Sequence, residues 1–172
     1  GADSEAVISA YDSALPQVAA QISRNADYNG DGIRDDAELA RGIHDYLCDT
    51  LYYDSDAYDS GACQQSGDYR IFCSAGAILP DTVGSGVVCE GYAKGLKVLC
   101  DQLGISCALI GGTVTQNGVT EGHMWNGVQV GGKWYLVDAT WDDKVTYISY
   151  DYFLVGNTFS NRVASGNFGG SE

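Results

Sequence analysis

The sequence has few basic residues for its length of 172. It contains 9 lysines and arginines against 23 aspartates and glutamates, which gives a formal net charge of −14. Phosphate recognition needs clustered lysine and arginine side chains, and no such cluster occurs, so we expect neither nucleic acid nor an anionic membrane surface as a partner. No run of about 18 apolar residues is present either, so no membrane insertion is expected.

Cysteine pairs with zinc-binding spacing are also missing. The six cysteines are at positions 48, 63, 73, 89, 100 and 107. None of them forms a C-x-x-C motif, so a zinc ribbon is not expected. In an oxidising compartment, Cys63 could pair with Cys73 across a polar loop and Cys100 with Cys107 across a helix-to-strand turn; reduced thiols are the equal alternative. No signal peptide is visible in the chain, and the possible disulfides and acidic composition favour a secreted or cell-surface protein.

The first part of the chain carries helical patterns. Apolar residues spaced three to four apart predict helices over residues 3–25 and 39–51, the first of them bent or interrupted at Pro16. A third helix is predicted to begin at Cys89 and to end at Gly104, because glycine commonly ends a helix.

After the third helix the pattern changes to short β-rich segments with glycine-containing turns. The predicted strands cover residues 105–114, 122–130, 133–141 and 150–157. Helices first and an antiparallel sheet second, with the Cys89 helix packed on that sheet, is an α+β arrangement. Residues 53–70 are expected to be an irregular surface stretch, and residues 160–172 a loose tail.

The stretch "VVCEGYAKG", residues 87–95, raises the question of reactivity. A cysteine attacks as the thiolate, and a free pKa of about 8.5 leaves little thiolate at neutral pH. A helix N-terminus and an adjacent imidazolium both favour the thiolate. Cys89 is therefore a candidate nucleophile, and its partner must be one of only two histidines, His44 or His123. His44, in the middle of a helix with no obvious acid partner, is expected to be a surface or packing residue.

His123 is the better partner because strand geometry links it to an acid. If a two-residue turn at 131–132 joins the two strands, Asp138 becomes the diagonal neighbour of His123 on the same face. A carboxylate in an apolar strand needs a hydrogen-bonding partner, and holding an imidazole in one tautomer provides it. Taken singly, each residue has a structural alternative: Asp138 bonded to backbone amides, Cys89 or His123 in the core.

Four stretches resemble the bacterial transglutaminase-like superfamily: "GVVCEGYAKGLKVLCDQLGI", "GHMWN", "GKWYLVDATWDD" and "YDYFLVGN". They keep the family's order of cysteine, histidine and aspartate. The resemblance implies a papain-like core in which Cys89 is the nucleophile, His123 the general base and acid, and Asp138 the residue that orients His123. It also implies cleavage of carboxamides in a protein or peptide substrate through a thioester, by a peptidase or amidase that needs no organic cofactor.

Several alternatives stay open at this stage. With an amine in place of water as the acyl acceptor, the same site would make a protein cross-linking transglutaminase. A non-catalytic peptide- or glycan-binding domain would keep the cleft, with Cys89 as an ordinary thiol, and a purely structural domain is a third possibility. The backbone N–H of Cys89 is one expected oxyanion donor, and the second is unassigned. Trp125 and Trp141 are either cleft walls or core residues.

An acidic loop near the N-terminus matches a calcium-binding pattern. The segment "DYNGDGIRDDAE", residues 27–38, fits D-x-[DN]-x-[DN]-G-x5-E and resembles an EF-hand loop. It differs in that Arg34 stands where the family usually has a branched apolar residue, and no second loop is present to pair with it. We expect a solitary, structural Ca²⁺ site; the alternative is a solvated acidic turn. The predicted ligands are Asp27, Asn29, Asp31, Ile33 through its carbonyl, Asp35 and Glu38.

The predicted elements are interpreted as one compact unit with two parts. Residues 1–52 form an N-terminal helical segment that contains the calcium loop. Residues 53–172 form the transglutaminase-like catalytic core. The sequence does not indicate an oligomeric state.

Overall fold

The chain folds into helices followed by a four-stranded antiparallel sheet, so the predicted α+β class is confirmed. The structure, a computed structural model, describes residues 2–61, 65–156 and 159–168. The helices that lie wholly within these ranges are α1 (Ala2–Asn25), α2 (Asp36–Thr50), α3 (Ser55–Asp59), α4 (Ala75–Ile78), α5 (Pro80–Val83), α6 (Cys89–Leu103) and α7 (Ala139–Asp142), with a 3-10 turn at Arg70–Phe72. The strands are β1 (Tyr52–Tyr53), β2 (Gly86–Val87), β3 (Cys107–Gln116), β4 (Val119–Val130), β5 (Lys133–Val137) and β6 (Arg162–Phe168).

The sheet has the strand order β5-β4-β3-β6. Two-residue turns at 117–118 and 131–132 join its first three strands, and all four turn residues have the positive φ of type I′ hairpin turns. Strands β4 and β5 pair in the register that places Asn126 opposite Val137. This is the register predicted from the glycine turn, and it brings Asp138 to the end of β5 next to β4.

Helix α6 packs against the sheet, and α1 and α2 pack against α6. One face of α6 is apolar at a spacing of three to four residues, and its Tyr92, Leu96 and Leu99 are buried. The side-chain amide of Asn126 on β4 ties the two layers together, because it donates to the backbone carbonyl of Ala93 at 3.0 Å. The hydrophobic core therefore lies between the helical layer and the sheet.

The predicted strand over 133–141 is shorter than expected. Strand β5 ends at Val137, and helix α7 follows. Asp138 supplies the physical reason, because its side chain accepts from the backbone N–H of Trp141 at 3.3 Å and so caps the helix. Its own N–H donates to the carbonyl of Tyr152 at 2.9 Å, which leads the chain out of the β4–β5 ladder.

The predicted last strand, over 150–157, is also wrong. Within the described residues of this segment, Val155 makes an isolated antiparallel bridge with Leu136 in place of a strand. The bridge still holds the segment against β5, since the two residues exchange backbone hydrogen bonds of 3.1 and 3.0 Å.

Strand β6 lies in the stretch predicted to be a loose tail, 160–172. It pairs antiparallel with the free edge of β3, and Arg162 lies opposite Val114. The prediction fails here because β6 forms by pairing with a strand that is distant in the sequence. The local glycine- and serine-rich composition does not predict a strand. Residues 169–172 of that stretch lie outside the described residues.

Two further segments refine the predictions. Pro16 does not interrupt α1, which runs through it as one helix. The stretch 53–70, expected to be irregular, contains α3, and the strand β1 just before it pairs in parallel with β2, with Tyr53 opposite Val87. In the described part of the chain, no helix is both long and apolar enough to cross a membrane.

The contact between β3 and β6 depends on a glycine. A Cβ atom at Gly112 would lie 2.1 Å from the carbonyl oxygen of Val163 and 2.8 Å from the ring of Trp125. We expect Gly112→Ala to lower the free energy of unfolding by about 1–3 kcal/mol, because the backbone of β6 would have to move. Gly156→Ala is the matched control: nothing lies within 4 Å of its Cβ position, so it should change stability by less than about 0.5 kcal/mol. Equal denaturant midpoints for the two variants would contradict the β3–β6 pairing.

Candidate active site

Cys89 is the first residue of helix α6. The backbone before it is fixed, because Val87 pairs with β1 and the N–H of Val88 donates to the carbonyl of Ile71 at 3.0 Å. The N–H groups in the first turn of a helix have no intrahelical acceptors, and they place partial positive charge around this end of α6. The thiol is half-buried and lines a cleft.

His123 on β4 contacts both other predicted site residues. Its Nε2 lies 2.7 Å from Oδ2 of Asp138, whose side chain is completely buried. Its ring also interacts with Cys89, and since Nε2 is taken by Asp138, Nδ1 is the nitrogen left for the thiol. The structure therefore brings Cys89, His123 and Asp138 together, from the start of a helix, the middle of one strand and the end of the next.

The surroundings of His123 favour its charged form. Burial alone would lower its pKa, but the hydrogen bond to Asp138, the interaction with Cys89 and the negative charges of both outweigh burial and raise the pKa to about 9. The imidazole is then protonated at neutral pH. An imidazolium beside a cysteine favours the thiolate.

Arg162 is a site residue that the sequence analysis missed. It lies in β6, and its Nη2 donates to Oδ2 of Asp138. Its side chain is 1% exposed. In the sequence, Arg162 is an isolated cation in a stretch rich in glycine, serine and asparagine, and the apolar residues next to it are too few to predict a strand.

The cleft in front of Cys89 has a volume of about 690 Å³. Its walls include aromatic side chains, among them Tyr53 and Trp141. Three carboxylates also line it, and no lysine or arginine is among the described residues that do. The three are Asp59, Glu90 and Glu121. Glu90 is paired with Lys94, and the charge of His123 is offset by Asp138. The remaining carboxylates, Asp59 and Glu121, make the cleft favourable for cationic groups.

The two tryptophans of the predicted alternatives take different positions. Trp141 lines the cleft, with its ring centroid 5.9 Å from that of His123. Trp125 is 3% exposed and stacks on His123 at 6.0 Å. Trp141 is therefore a cleft wall, and Trp125 is a core residue that supports the imidazole.

Tyr53 sits close to the nucleophile. It pairs with Val87 between β1 and β2, which places it beside the chain two residues before Cys89. Burial, followed by the negative charges of Cys89 and Glu121, raises the pKa of Tyr53 to about 12. Its phenol thus stays protonated, and a hydrogen-bond donor, through the neutral range.

His44 has acid partners that the sequence analysis did not find. It is completely buried, with Nδ1 3.0 Å from Asp45 and Nε2 3.0 Å from Asp142 on α7. Burial lowers its pKa, but the hydrogen bonds to both carboxylates reverse this and raise it. The hydroxyls of Tyr28 and Tyr150 also donate to Asp45. His44 is thus the buried centre of a polar cluster that reaches the surface at Tyr28 and Tyr150 and that anchors α7, which carries Trp141.

The predicted calcium loop brings three carboxylates together. One oxygen from each of Asp27, Asp31 and Glu38 lies within 4.8 Å of the others. The carboxylate of Asp27 accepts from the N–H of Gly32 at 3.1 Å, and Gly32 has the positive φ of 81° that the sharp turn needs. Glu38 reaches back to accept from the N–H of Asn29 at 3.0 Å.

The other predicted ligands have local partners. Oδ1 of Asn29 accepts from the N–H of Asp31, and Asp35 caps α2 by accepting from the N–H of Glu38 at 2.9 Å. The side chain of Ile33 is exposed, and its predicted ligand is the backbone carbonyl.

Arg34 explains the departure from the EF-hand pattern. Its guanidinium donates to the carbonyls of Ser23 and Arg24 in the last turn of α1. It therefore ties the loop to α1, the helix that precedes it. At this position EF-hand loops usually have an apolar residue that pairs with a second loop.

The cysteines are free thiols wherever the structure describes them. Cys100 and Cys107 are buried, and the interaction between their thiols, together with burial, raises the pKa of Cys100. The reduced alternative therefore holds for this pair. Cys73 is also a free thiol, and its candidate partner Cys63 lies outside the described residues.

A family model described as the transglutaminase-like superfamily matches residues 17–139. The matched range contains Cys89, His123 and Asp138. It begins well before the stretches that carry the resemblance in the sequence, so it also includes α2 and the acidic loop before it.

Curated relatives are similar to part of this chain. The kyphoscoliosis peptidases of Mus musculus and Homo sapiens are each 28% identical to it over 114 residues, which is 62% of this chain and 16% of theirs. The chain thus spans only a small part of the length of these relatives.

A solved structure described as a TGase has a similar fold. It superimposes with a TM-score of 0.52 at 15% identity and covers 86% of this chain and 34% of that one. The likeness supports the predicted class, a cysteine-bearing helix packed on an antiparallel sheet.

The ionisation of His123 can be measured directly, because the chain has only two histidines. In an NMR titration we expect His123 to titrate near pH 9. By linkage, its contribution to stability is complete below about pH 6.5 and is lost as the pH rises through about 9. Asp138→Asn should clearly lower the pKa of His123, because it removes a negative charge that stabilises the imidazolium while the lowering effect of burial remains.

Asp142→Asn is the matched control for that titration. It removes a carboxylate from His44, so it should lower the pKa of His44 and leave His123 near 9. A His123 midpoint that does not move in Asp138→Asn, while the His44 signals show an intact fold, would contradict the role of Asp138 in charging the imidazole.

Proposed function

Because the chain belongs to the transglutaminase-like superfamily of cysteine-dependent enzymes, we propose that it cleaves carboxamides through a thioester on Cys89. The favoured activity is that of a peptidase or amidase on a protein or peptide substrate. One observation carries the proposal: His123 lies between the Cys89 thiol and the buried Asp138 carboxylate, with the pKa of His123 raised to about 9.

The first half of the reaction forms the thioester. The thiolate of Cys89 attacks the carbonyl carbon, so a carbon–sulfur bond forms and the carbonyl oxygen takes the negative charge. As that oxyanion collapses, the carbon–nitrogen bond breaks, and the imidazolium of His123 gives its proton to the leaving nitrogen. Asp138 stabilises the imidazolium and holds it in the orientation that directs Nδ1 to the thiol.

The second half releases the product. His123, now neutral, takes a proton from the acceptor, which attacks the thioester carbon and expels the Cys89 thiolate. Water as the acceptor gives a carboxylic acid, and an amine gives a new amide. The protein residues needed are the same in both cases.

Two groups are candidates for the oxyanion site. The backbone N–H of Cys89 lies in the first turn of α6, where N–H groups have no intrahelical acceptor. The phenol of Tyr53 lines the same cleft, and its pKa of about 12 keeps it a donor at neutral pH. Donors directed at the developing negative charge are a large part of catalysis in acyl transfer.

The acidic lining indicates the charge of the substrate. With Asp59 and Glu121 on its walls, the cleft favours peptides that carry lysine or arginine near the scissile amide. The same lining suits a lysine amine as the acyl acceptor. This observation supports cross-linking transglutaminase activity as the second candidate function.

The acidic loop is proposed as a structural Ca²⁺ site. All its side-chain donors are hard oxygens, and three of its carboxylates already converge around one point, which is the ligand chemistry that Ca²⁺ prefers. Asp27, Asn29, Asp31 and Glu38 would bind through their side chains and Ile33 through its carbonyl. Asp35, engaged in capping α2, would act through water. Bound calcium would neutralise part of a crowded negative charge.

Secretion or cell-surface exposure stays a prediction from composition.

The reactivity of Cys89 tests the catalytic proposal. Alkylation by iodoacetamide, followed by intact mass between pH 4 and 9, should be at least about tenfold faster at pH 6 in wild type than in His123→Ala, because the imidazolium maintains the thiolate. Cys89→Ser measures labelling at the other cysteines, and His44→Gln controls for loss of a buried imidazole elsewhere. Slow labelling that rises only near pH 8.5 in both wild type and His123→Ala would favour a non-catalytic binding domain.

The choice of acceptor needs a second measurement. Peptide libraries with glutamine and lysine at varied positions, with and without a fluorescent primary amine, separate cleavage or deamidation from amine incorporation by mass. We expect hydrolysis to dominate and cationic peptides to react fastest. Amine incorporation in place of hydrolysis would establish the transferase alternative.

Calcium should raise the melting temperature if the loop binds it. Saturation at a hundred times Kd adds about 2.7 kcal/mol of stability, which is roughly 5–10 °C for a chain of this size. Asp31→Ala should abolish the shift, while Asp12→Ala, an exposed acidic residue on α1, should retain it. Identical melting curves of wild type in calcium and in chelator would exclude the site.

A further inference from the structure

One buried carboxylate oxygen accepts from two cations. Oδ2 of Asp138 lies 2.7 Å from Nε2 of His123, and Nη2 of Arg162 donates to the same oxygen. The other oxygen, Oδ1, accepts from the N–H of Trp141. The aspartate side chain is completely buried and the arginine side chain is 1% exposed, so neither charge is screened by water.

Arg162 comes from a strand two positions away from that of His123. The register places it opposite Val114 on β3, which in turn lies opposite Glu121 on β4. Directly opposite residues share a face, and so do residues two apart along a strand, so Arg162 and His123 lie on the same face of the sheet. Gly112, which lies opposite His123, contributes no side chain between them.

Aromatic rings hold the guanidinium in place. Its Cζ lies 4.2 Å from the ring centroid of Trp141, 4.8 Å from that of Tyr152 and 4.4 Å from that of Phe159. Trp125 adds a fourth ring at 5.8 Å. A planar guanidinium stacks on such rings and keeps its fork directed, which a lysine ammonium cannot do in the same way.

The arrangement is not one that stability alone favours. Nε of Arg162 is buried and has no hydrogen-bond partner among the described residues, and the same is true of Nε1 of Trp125 beside it. A buried N–H without a partner destabilises a fold, and an apolar residue would fill an aromatic pocket without that penalty. The presence of a charge there is therefore better explained by its action on Asp138.

We propose that Arg162 is a positioning residue of the catalytic site, which orients the Asp138 carboxylate toward His123 and offsets part of its negative charge. The inference rests on the proposed function. With Arg162 present, the Asp138 carboxylate still orients the imidazole of His123. It stabilises the imidazolium less strongly, so His123 releases its proton more readily. His123 can then both stay protonated beside the thiolate and give its proton to the leaving nitrogen.

The titratable groups around the Asp138–Arg162 pair determine which pKa values should change when Arg162 is replaced. His123 faces it from β4, Cys89 from the start of α6, and the phenol of Tyr152 from the segment between α7 and β6. Asp142 on α7 is bonded to His44, and the side-chain contacts of Arg162 in the described part of the chain include neither of these two residues. Removal of the Arg162 charge should therefore act on His123 and not on His44.

Arg162→Met and Arg162→Lys test the proposal by NMR titration of the two histidines. In Arg162→Met the acid dissociation constant of His123 should fall about tenfold, because the full charge of Asp138 then acts on the imidazolium. Arg162→Lys, which retains a positive charge, should return it toward the wild-type value. The iodoacetamide profile of Cys89 should shift in parallel: the inflection that follows loss of the imidazolium proton should move to higher pH in Arg162→Met.

Controls separate this effect from a structural one. A residue that only supports the fold would lower the melting temperature without moving the His123 midpoint, and that result, or an equal shift of His44, would overturn the inference. Arg24→Met removes an exposed charge and should leave both histidines unchanged. If Arg162→Met fails to fold, Arg162→Gln takes its place, with the same shift expected. Slow alkylation of wild-type Cys89 would instead reject the proposed function itself, so the two failures are distinguishable.

Discussion

The buried carboxylate of Asp138 is the interaction on which the rest of the site depends. An ionised group without solvent contact is strongly destabilising unless charged and polar partners surround it. The carboxylate has three such partners: the imidazole of His123, the guanidinium of Arg162 and the N–H of Trp141. The backbone N–H of Asp138 also donates to the carbonyl of Tyr152. Satisfying this one group thus ends β5, starts α7 and draws β6 onto the sheet.

Much of this could be predicted where the signal is local. The pair of glycines at 131–132 defines a tight turn, and the turn defines the register that brings Asp138 next to His123. The convergence of the acidic side chains in the loop at 27–38 could be predicted in the same way, because their spacing is contained in twelve residues. The helix that begins at Cys89 followed from its apolar periodicity and from the glycine that ends it.

What could not be predicted depends on contacts between distant residues. Asp138 reads as a strand residue because its neighbours are apolar, yet its side chain caps a helix. Strand β6 has little intrinsic preference, and its order comes from pairing with β3 some fifty residues earlier. Arg162 was missed with it, and Asp142, one of the two acids around His44, was missed because it is far away in the sequence.

The order of these segments along the chain has a consequence for biosynthesis. Chains fold largely from the N-terminal side as they are made, so Cys89, His123 and Asp138 leave the ribosome before Arg162. Until β6 pairs with β3, the carboxylate lacks its second cation and the aromatic pocket around it lacks its occupant. The nucleophile is thus present early, but its surroundings reach their final charge balance only with the last strand. Maturation of the site is a late event in folding.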